Sequence, residues 1–179
     1  MSFKKNIAAI AGAAIAAATL TIGSAAADTL ITTDAKHDVE GGADIWRAKV
    51  THEKRVRVDV KFKNLVPGFE SSASASIFVD TNKDVAGPEF VLGTGLFEGT
   101  DYSLFRAESW KSVGEPLTCF HKVTLDYDRN VAHVAFARGC LGKPEAVRVA
   151  VKSASEHMGE THVDWLKGFR KFTPWVAQG

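Results

Sequence analysis

A strict two-residue alternation between residues 55 and 63 is the feature that most constrains the fold of this chain. Val56, Val58, Val60 and Phe62 hold every second position, and every position between and beside them is charged. Successive side chains of a β-strand point to opposite faces, so the pattern predicts a strand with one buried and one solvated face. Such a strand is typical of an antiparallel sheet, because parallel sheets are covered on both faces.

Similar short segments recur along the chain. We count about eight or nine strands, with turn signals about every 8 to 12 residues and no long amphipathic helix, which is typical of an antiparallel sandwich. The fold class predicted is therefore an all-β, jelly-roll or Ig-like sandwich over residues 28–179. Besides 55–63, the segments with strand character are an edge strand after residue 28, then 43–50, 77–79, 90–92, 102–106, a hairpin within 119–140, and 146–151.

Three segments give more detailed expectations. Trp46 alternates in phase with Ala48 and Val50, which predicts that its ring is buried in the core. Residues 153–161 are polar and predict a loop. Residues 163–177 contain four aromatic residues, but Gly168 and Pro174 interrupt any long helix, so this tail is expected to cap an edge of the sandwich.

The first 27 residues have the organisation of an export signal. Lys4 and Lys5 precede an Ala-rich and Ile-rich run over residues 7–22, and small residues lead up to Ala27. This order is typical of a Sec-type signal peptide, here with cleavage after Ala27. The run falls short of the roughly 20 strongly apolar residues that a membrane-spanning helix needs. We therefore expect a secreted protein that is free of the membrane after cleavage.

The charge balance excludes one class of partner. The chain has 22 Lys and Arg against 21 Asp and Glu, a net charge of +1. Nucleic acid binding depends on an excess of basic side chains that neutralise phosphates. We therefore expect no nucleic acid partner.

Cys119 and Cys140 are the only cysteines. Both follow the export signal, and disulfides persist in exported proteins. If Arg129 and Asn130 form the tip of a hairpin, the two cysteines face each other on a non-hydrogen-bonded rung, where opposing Cα atoms are about 4.5 Å apart. The sequence therefore predicts a disulfide across this hairpin, although a slip of register would change the pairing.

Asp80, Asn82, Asp84 and Glu89 form the candidate metal site. The first three alternate along a loop as in the first half of a calcium-binding loop, and Glu89 follows the turn at Gly87-Pro88. The second half departs from the EF-hand pattern, which requires a Gly and a bidentate Glu that are missing here. Either these oxygens bind calcium, or the side chains bond to their own backbone in Asx turns.

Trp110 is the candidate ligand-binding residue. It lies between two predicted strands, beside Lys111 and Ser112, where an indole ring can form a platform for a sugar ring or anchor a loop. No catalytic residues are predicted, since the chain lacks a nucleophile elbow and a phosphate-binding loop. Its histidines also lack the spacing of a zinc peptidase. We expect a protein that is not an enzyme.

Two resemblances bear on function. The first resemblance covers a strand, the acidic turn Asp80-Thr81-Asn82-Lys83-Asp84, the segment Gly87-Pro88-Glu89-Phe90 and the next strand. This arrangement resembles the acidic turn of the CBM9-like and DOMON-like sandwich superfamily. That resemblance implies a sandwich that binds sugars or, in some members, haem. Cys140-Leu141-Gly142 and the ending Phe172-Thr173-Pro174-Trp175-Val176-Ala177 are similar to small secreted actinobacterial β-sandwich proteins.

These observations together favour a secreted, non-catalytic binding module for an extracellular ligand such as a glycan, with calcium as a supporting ion. A structural or protein-interaction factor of the cell envelope is the alternative. A small secreted hydrolase is the third hypothesis, because two well-placed carboxylates are enough for a glycosidase and sequence spacing does not reveal them.

Overall fold

A computed structural model of the chain describes residues 28–40, 43–69 and 72–179. The predicted export signal and its cleavage site lie outside these residues. The described chain is nearly all β, with 52% of residues in strands and 3% in helix, arranged as two antiparallel sheets. The strands are β1 Asp28–Thr33, β2 Ile45–His52, β3 Arg55–Phe62, β4 Ser74–Asp80, β5 Phe90–Gly95, β6 Tyr102–Glu108, β7 Lys111–Val113, β8 His121–Asp126, β9 Val131–Ala137, β10 Ala146–His157, β11 Glu160–Trp165 and β12 Val176–Ala177.

The two sheets divide these strands unequally. Five strands form one sheet in the order β1-β2-β3-β9-β8. Seven form the other, in the order β11-β10-β4-β5-β6-β7, with β12 paired to a free part of β10. The predicted all-β sandwich is confirmed. None of the helical segments among the described residues has the length and apolar character needed to cross a membrane.

The main core lies between the sheets. In β3, Val56, Val58, Val60 and Phe62 have no exposed surface, which confirms the predicted inward face. The opposite sheet contributes inward side chains that are equally buried: Ile77, Val79, Leu92, Leu104, Val149 and Val151. Full burial of one such aliphatic or aromatic side chain stabilises the fold by about 1.5–3 kcal/mol.

Besides the hairpin register described below, two predictions about local structure are wrong. Residues 153–161 do not form a loop, because β10 continues to His157 and turns at Met158 and Gly159 into β11. Ser153 is buried here because its hydroxyl donates to the Ala43 carbonyl at 2.6 Å. The predicted tail starts too early, because residues 163–165 belong to β11. From residue 166 the chain follows the edge of β10, where the Thr173 N–H donates to the Val149 carbonyl.

The other wrong prediction concerns Trp46. The pairing of β2 with β3 shifts between Ile45 and Arg47, so one extra residue reverses the alternation at this point. Ile45 therefore enters the core with no exposed surface, while Trp46 is only partly buried. The Trp46 Nε1–H donates to Asp44 Oδ2 at 2.9 Å.

The disulfide between Cys119 and Cys140 is confirmed, with the Cα atoms 5.6 Å apart. The predicted register is not. β8 and β9 pair from His121↔Phe136 to Asp126↔Val131, two residues away from the predicted alignment. An offset of two preserves the face of every side chain. The bridge forms because Cys140 lies in a 3-10 turn, Arg138–Leu141, which follows β9.

Candidate functional site

The outer face of the seven-stranded sheet carries a second apolar cluster, separate from the core between the sheets. Its buried members are Phe78, Val91, Ala107 and Ala150. The partly buried aromatic residues Phe105, Trp110, Trp165 and Phe172 pack against it. A sandwich normally places polar residues on this face. Packing between the two sheets therefore does not account for aromatic residues on this outer face.

The strand register arranges two different rows of side chains across this face. Phe78 pairs with Val91, and Val91 with Phe105, which gives a bulky apolar row. The neighbouring row is small, because Ser76 pairs with Gly93. A Cβ added to Gly93 would meet no atom within 4 Å, so this row leaves open space above the sheet.

We call the resulting depression the aromatic groove. It has a volume of about 550 Å³, within the range of roughly 300–1,000 Å³ typical of ligand pockets. Its lining combines aromatic and aliphatic surface with hydroxyl and ammonium groups at the rim. The lining residues are Ser76, Phe78, Val91, Gly93, Phe105, Trp110, Lys111, Ser112 and Lys152.

Trp110 forms one wall of the aromatic groove. It lies with Ser109 in the tight turn between β6 and β7, where their φ angles are 68° and 50°. Tight hairpin turns with positive φ favour Asn and Gly, and a bulky residue in this conformation is strained. The Trp110 ring centroid lies 5.2 Å from that of Phe78 and 4.9 Å from that of Phe172. The turn thus holds a partly exposed indole against an aromatic floor.

The C-terminal part of the chain extends this aromatic surface. Trp165 stacks on Phe78 with ring centroids 5.6 Å apart and ring planes 15° apart. Phe169 contacts the edge of Trp165 and is 68% exposed. The Arg170 guanidinium lies 5.6 Å from the Trp110 ring centroid. The aromatic rings therefore continue from the groove towards solvent.

The predicted metal-binding loop has a different set of contacts. Asp80 has no exposed surface, and its Oδ2 accepts a hydrogen bond from Arg148 Nε at 2.7 Å and forms an ion pair with Arg148 Nη2 at 2.6 Å. The Asn82 N–H donates to Asp80 Oδ1, and the Asp84 N–H donates to Asn82 Oδ1. Burial raises the pKa of Asp80, against the hydrogen bond from Arg148, which lowers it. These contacts are those of Asx turns.

The contacts of Glu89 differ from those of Asp80, Asn82 and Asp84. Its Oε2 accepts hydrogen bonds from the Thr81 N–H and hydroxyl at 2.7 and 3.1 Å. Its Oε1 is buried and has no hydrogen-bond partner among the described residues. Calcium binding by this loop stays a prediction.

A set of acidic residues that the sequence analysis missed lies at one end of the sandwich. Asp38 and Asp44 belong to the connection between β1 and β2, whereas Asp164 belongs to β11 of the other sheet. One carboxylate oxygen from each lies within 4.8 Å of the others. Asp38 and Asp44 are close in sequence, but nothing in the sequence links them to the distant Asp164.

The electrostatics of this acidic set follow from burial. Burial raises the pKa of Asp164 to about 6, against the hydrogen bond from the Ile45 N–H at 2.6 Å, which lowers it. Desolvation, then the nearby charge of Asp34, raise the pKa of Asp38. Asp164 is therefore desolvated, and the charges of Asp38 and Asp34 raise its pKa further.

Comparison with known proteins adds no function to this geometry. No family model matches the chain, and no curated protein has significant similarity to it.

Proposed function

We propose that this protein is a secreted, non-catalytic binding module that holds a glycan in the aromatic groove. The observation that carries the proposal is Trp110, a partly exposed indole that a strained turn holds against Phe78 and Phe172, beside the open row of Ser76 and Gly93. Ligand sites in proteins combine apolar and aromatic walls with a few polar groups that fix orientation. The apolar face of a sugar ring suits the indole surface, and its hydroxyl groups suit a polar rim.

The rim supplies groups that bond to sugar hydroxyls. Lys111 and Lys152 carry ammonium donors, and Ser76 and Ser112 carry hydroxyls that donate or accept. Two ammonium groups also favour a saccharide that carries carboxylate or phosphate. We therefore expect the ligand class to be an acidic or neutral extracellular polysaccharide.

The composition of the lining supports binding over hydrolysis. Most glycoside hydrolases place two carboxyl groups beside the scissile bond. The described residues that line the aromatic groove include no Asp, Glu or His. Bound saccharide would therefore meet no carboxyl group from the lining of this groove.

The proposed compartment depends on two features. The organisation of residues 1–27 is that of an export signal, and the disulfide between Cys119 and Cys140 suits an oxidising compartment. The proposed ligand is accordingly one that occurs outside the cytoplasm. Calcium support of binding is part of the proposal, and a chelator tests it.

Phe169 supports the alternative function, a protein-interaction factor of the envelope. Its ring is 68% exposed beside Trp165 and Arg170. Aromatic residues and Arg are the residue types enriched in the energetically important part of protein interfaces. This alternative predicts that binding depends on Phe169 and is not competed by free saccharide.

Binding to an array of bacterial and plant polysaccharides, with and without chelator, tests the proposal. Trp110→Ala should weaken binding at least about tenfold, a loss of about 1.4 kcal/mol. Gly93→Val should also weaken it, because the added side chain fills the groove while a β-branched residue suits a strand. Phe69→Ser is the matched control, since Phe69 is 74% exposed and does not line the groove.

Retained binding in both groove variants would contradict the proposal. Loss of binding in Phe169→Ala alone, with no competition by free saccharide, would favour the protein-interaction alternative.

A further inference from the structure

The acidic set at the end of the sandwich has the dimensions of a single-cation site. One carboxylate oxygen from each of Asp38, Asp44 and Asp164 lies within 4.8 Å of the others. Oxygen ligands bind Ca²⁺ at about 2.3–2.6 Å, so two oxygens on one ion are at most about 5.2 Å apart. The three oxygens are therefore close enough to share one ion.

Asp44 provides the observation that distinguishes this set from an ordinary acidic surface. Its side chain has no exposed surface, and its Oδ1 has no hydrogen-bond partner among the described residues. The other oxygen, Oδ2, accepts hydrogen bonds from the His37 N–H and Trp46 Nε1–H, each at 2.9 Å. A buried carboxylate oxygen left without a partner is destabilising. Oδ1 is therefore open to a partner that the described chain does not supply, and a cation or a proton is a partner that also offsets its charge.

Basic side chains do not supply that cation. The ion pairs of the described residues join other groups, and none includes Asp38, Asp44 or Asp164. The nearby Asp34 adds a further negative charge, although its two oxygens already accept hydrogen bonds from the Ala35 and Lys167 N–H groups. The ammonium groups of Lys36 and Lys61 lie over the Trp46 ring, 4.6 and 5.9 Å from its centroid, and neither forms an ion pair with the three aspartates.

We propose that Asp38, Asp44 and Asp164 bind one calcium ion that joins the two sheets. An all-oxygen ligand set suits a hard divalent cation. Calcium is favoured over magnesium because it accepts six to eight oxygens in flexible geometry, and water molecules complete its coordination. The ion connects the segment before β2 to β11, where the Ile45 N–H already bonds to Asp164 Oδ2. This site is separate from the loop at residues 80–89, and the proposal does not rest on the proposed glycan binding.

Titration of the chelator-treated exported protein with CaCl₂ or MgCl₂ in a calorimeter, together with thermal unfolding in each salt, tests the proposal. We expect one calcium per chain, with a dissociation constant in the range of about 10⁻⁴–10⁻³ M found for extracellular modules. Saturating calcium should raise the melting temperature by several degrees, because the ion binds only the folded chain. Magnesium should bind more weakly.

Three substitutions locate the ion. Asp38→Asn should lower calcium affinity at least tenfold, and because Asp38 is exposed this variant should still fold. Asp164→Asn should abolish binding. Asp84→Asn, in the other acidic loop, is the matched control with the same change of charge and should retain wild-type affinity.

Two results would overturn the proposal. An unchanged melting temperature and no heat of binding in the wild type would mean that a shared proton replaces the ion. Loss of affinity in Asp84→Asn with wild-type affinity in Asp38→Asn would place the ion in the loop at residues 80–89 instead.

Discussion

The pair Asp80 and Arg148 shows how a single buried charge can depend on one partner. Asp80 has no exposed surface, and the Arg148 guanidinium that bonds to it also lies 4.5 Å from the Phe172 ring centroid and 4.7 Å from that of Trp175. Arg148 thus joins the predicted metal-binding loop to the C-terminal tail through one side chain.

Removal of Arg148 should therefore be costly. Arg148→Ala leaves a buried carboxylate without its partner, and we expect the free energy of unfolding to fall by about 3–5 kcal/mol. Denaturant unfolding measures this loss. Arg57→Ala is the control, because Arg57 pairs with Glu53 on the surface and should contribute at most about 1 kcal/mol. Equal losses in the two variants would contradict this view of Arg148.

His52 gives the protein a pH dependence. Its ring is fully buried, Nδ1 lies 3.2 Å from the Val176 carbonyl, and Nε2 has no partner among the described residues. Burial, followed by the charge of Arg138, lowers the pKa of His52 below 6.5. The unfolded chain therefore binds a proton at a higher pH than the folded chain does. The stability contributed by neutral His52 is complete above pH 6.5 and is lost as the pH falls towards the folded pKa.

His52→Gln should remove this contribution to the pH dependence. The difference in unfolding free energy between wild type and variant should be constant above neutral pH and shrink below it. His157→Gln, at an exposed position, is the control and should keep the wild-type slope. A difference that does not change with pH would show that His52 does not titrate on unfolding.

The disulfide links the 3-10 turn after β9 to the segment that precedes β8. Cys140 lies beyond β9 and its bond to Cys119 closes a loop with a sequence separation of 21. In the chain-entropy model, closing such a loop stabilises the folded state by roughly 3 kcal/mol. The replacement Cys119→Ala with Cys140→Ala should lower the unfolding free energy by about that amount. Unfolding of the wild type with and without reductant provides an independent check. An unchanged unfolding free energy in both experiments would contradict a stabilising role of the disulfide.

The elements also show what the sequence could and could not predict. The sequence predicted the buried face of β3 because one face of this strand is uniformly apolar and the other uniformly charged. The sequence could not predict which face of the sheet Trp46 occupies, because one bulge residue reverses the two-residue alternation. β11 was missed because Ser153 and Ser155 of its partner β10 are buried polar residues. The hydrogen bond from the Ser153 hydroxyl to the Ala43 carbonyl forms only once the chain is folded.

Site prediction met the same limit. Trp110 was recognisable because an aromatic residue stood beside a turn between strands. Gly93 and Phe105 join it only through the register of β5 and β6, and Asp164 meets Asp44 only through the stacking of the two sheets. Short-range patterns identified single residues, whereas long-range pairing created both sites.

Strand β11 connects the two proposed sites. Asp164 points to the acidic set, and the next residue, Trp165, stacks on Phe78 beside the aromatic groove. Successive residues of a strand face opposite sides, so one strand presents a ligand to each site. A calcium ion that fixes Asp164 also fixes the position of Trp165.

This connection predicts coupling between calcium and saccharide. If both proposals hold, calcium should raise saccharide affinity by a factor of about 5 or more, and saccharide should raise calcium affinity by the same factor, because linkage is reciprocal. Titration of each ligand in the presence and absence of the other measures both factors. Trp165→Leu should abolish the coupling while leaving calcium affinity unchanged, since the aromatic ring carries the effect to Phe78. Affinities that do not respond to the other ligand would show that the ion supports only the fold.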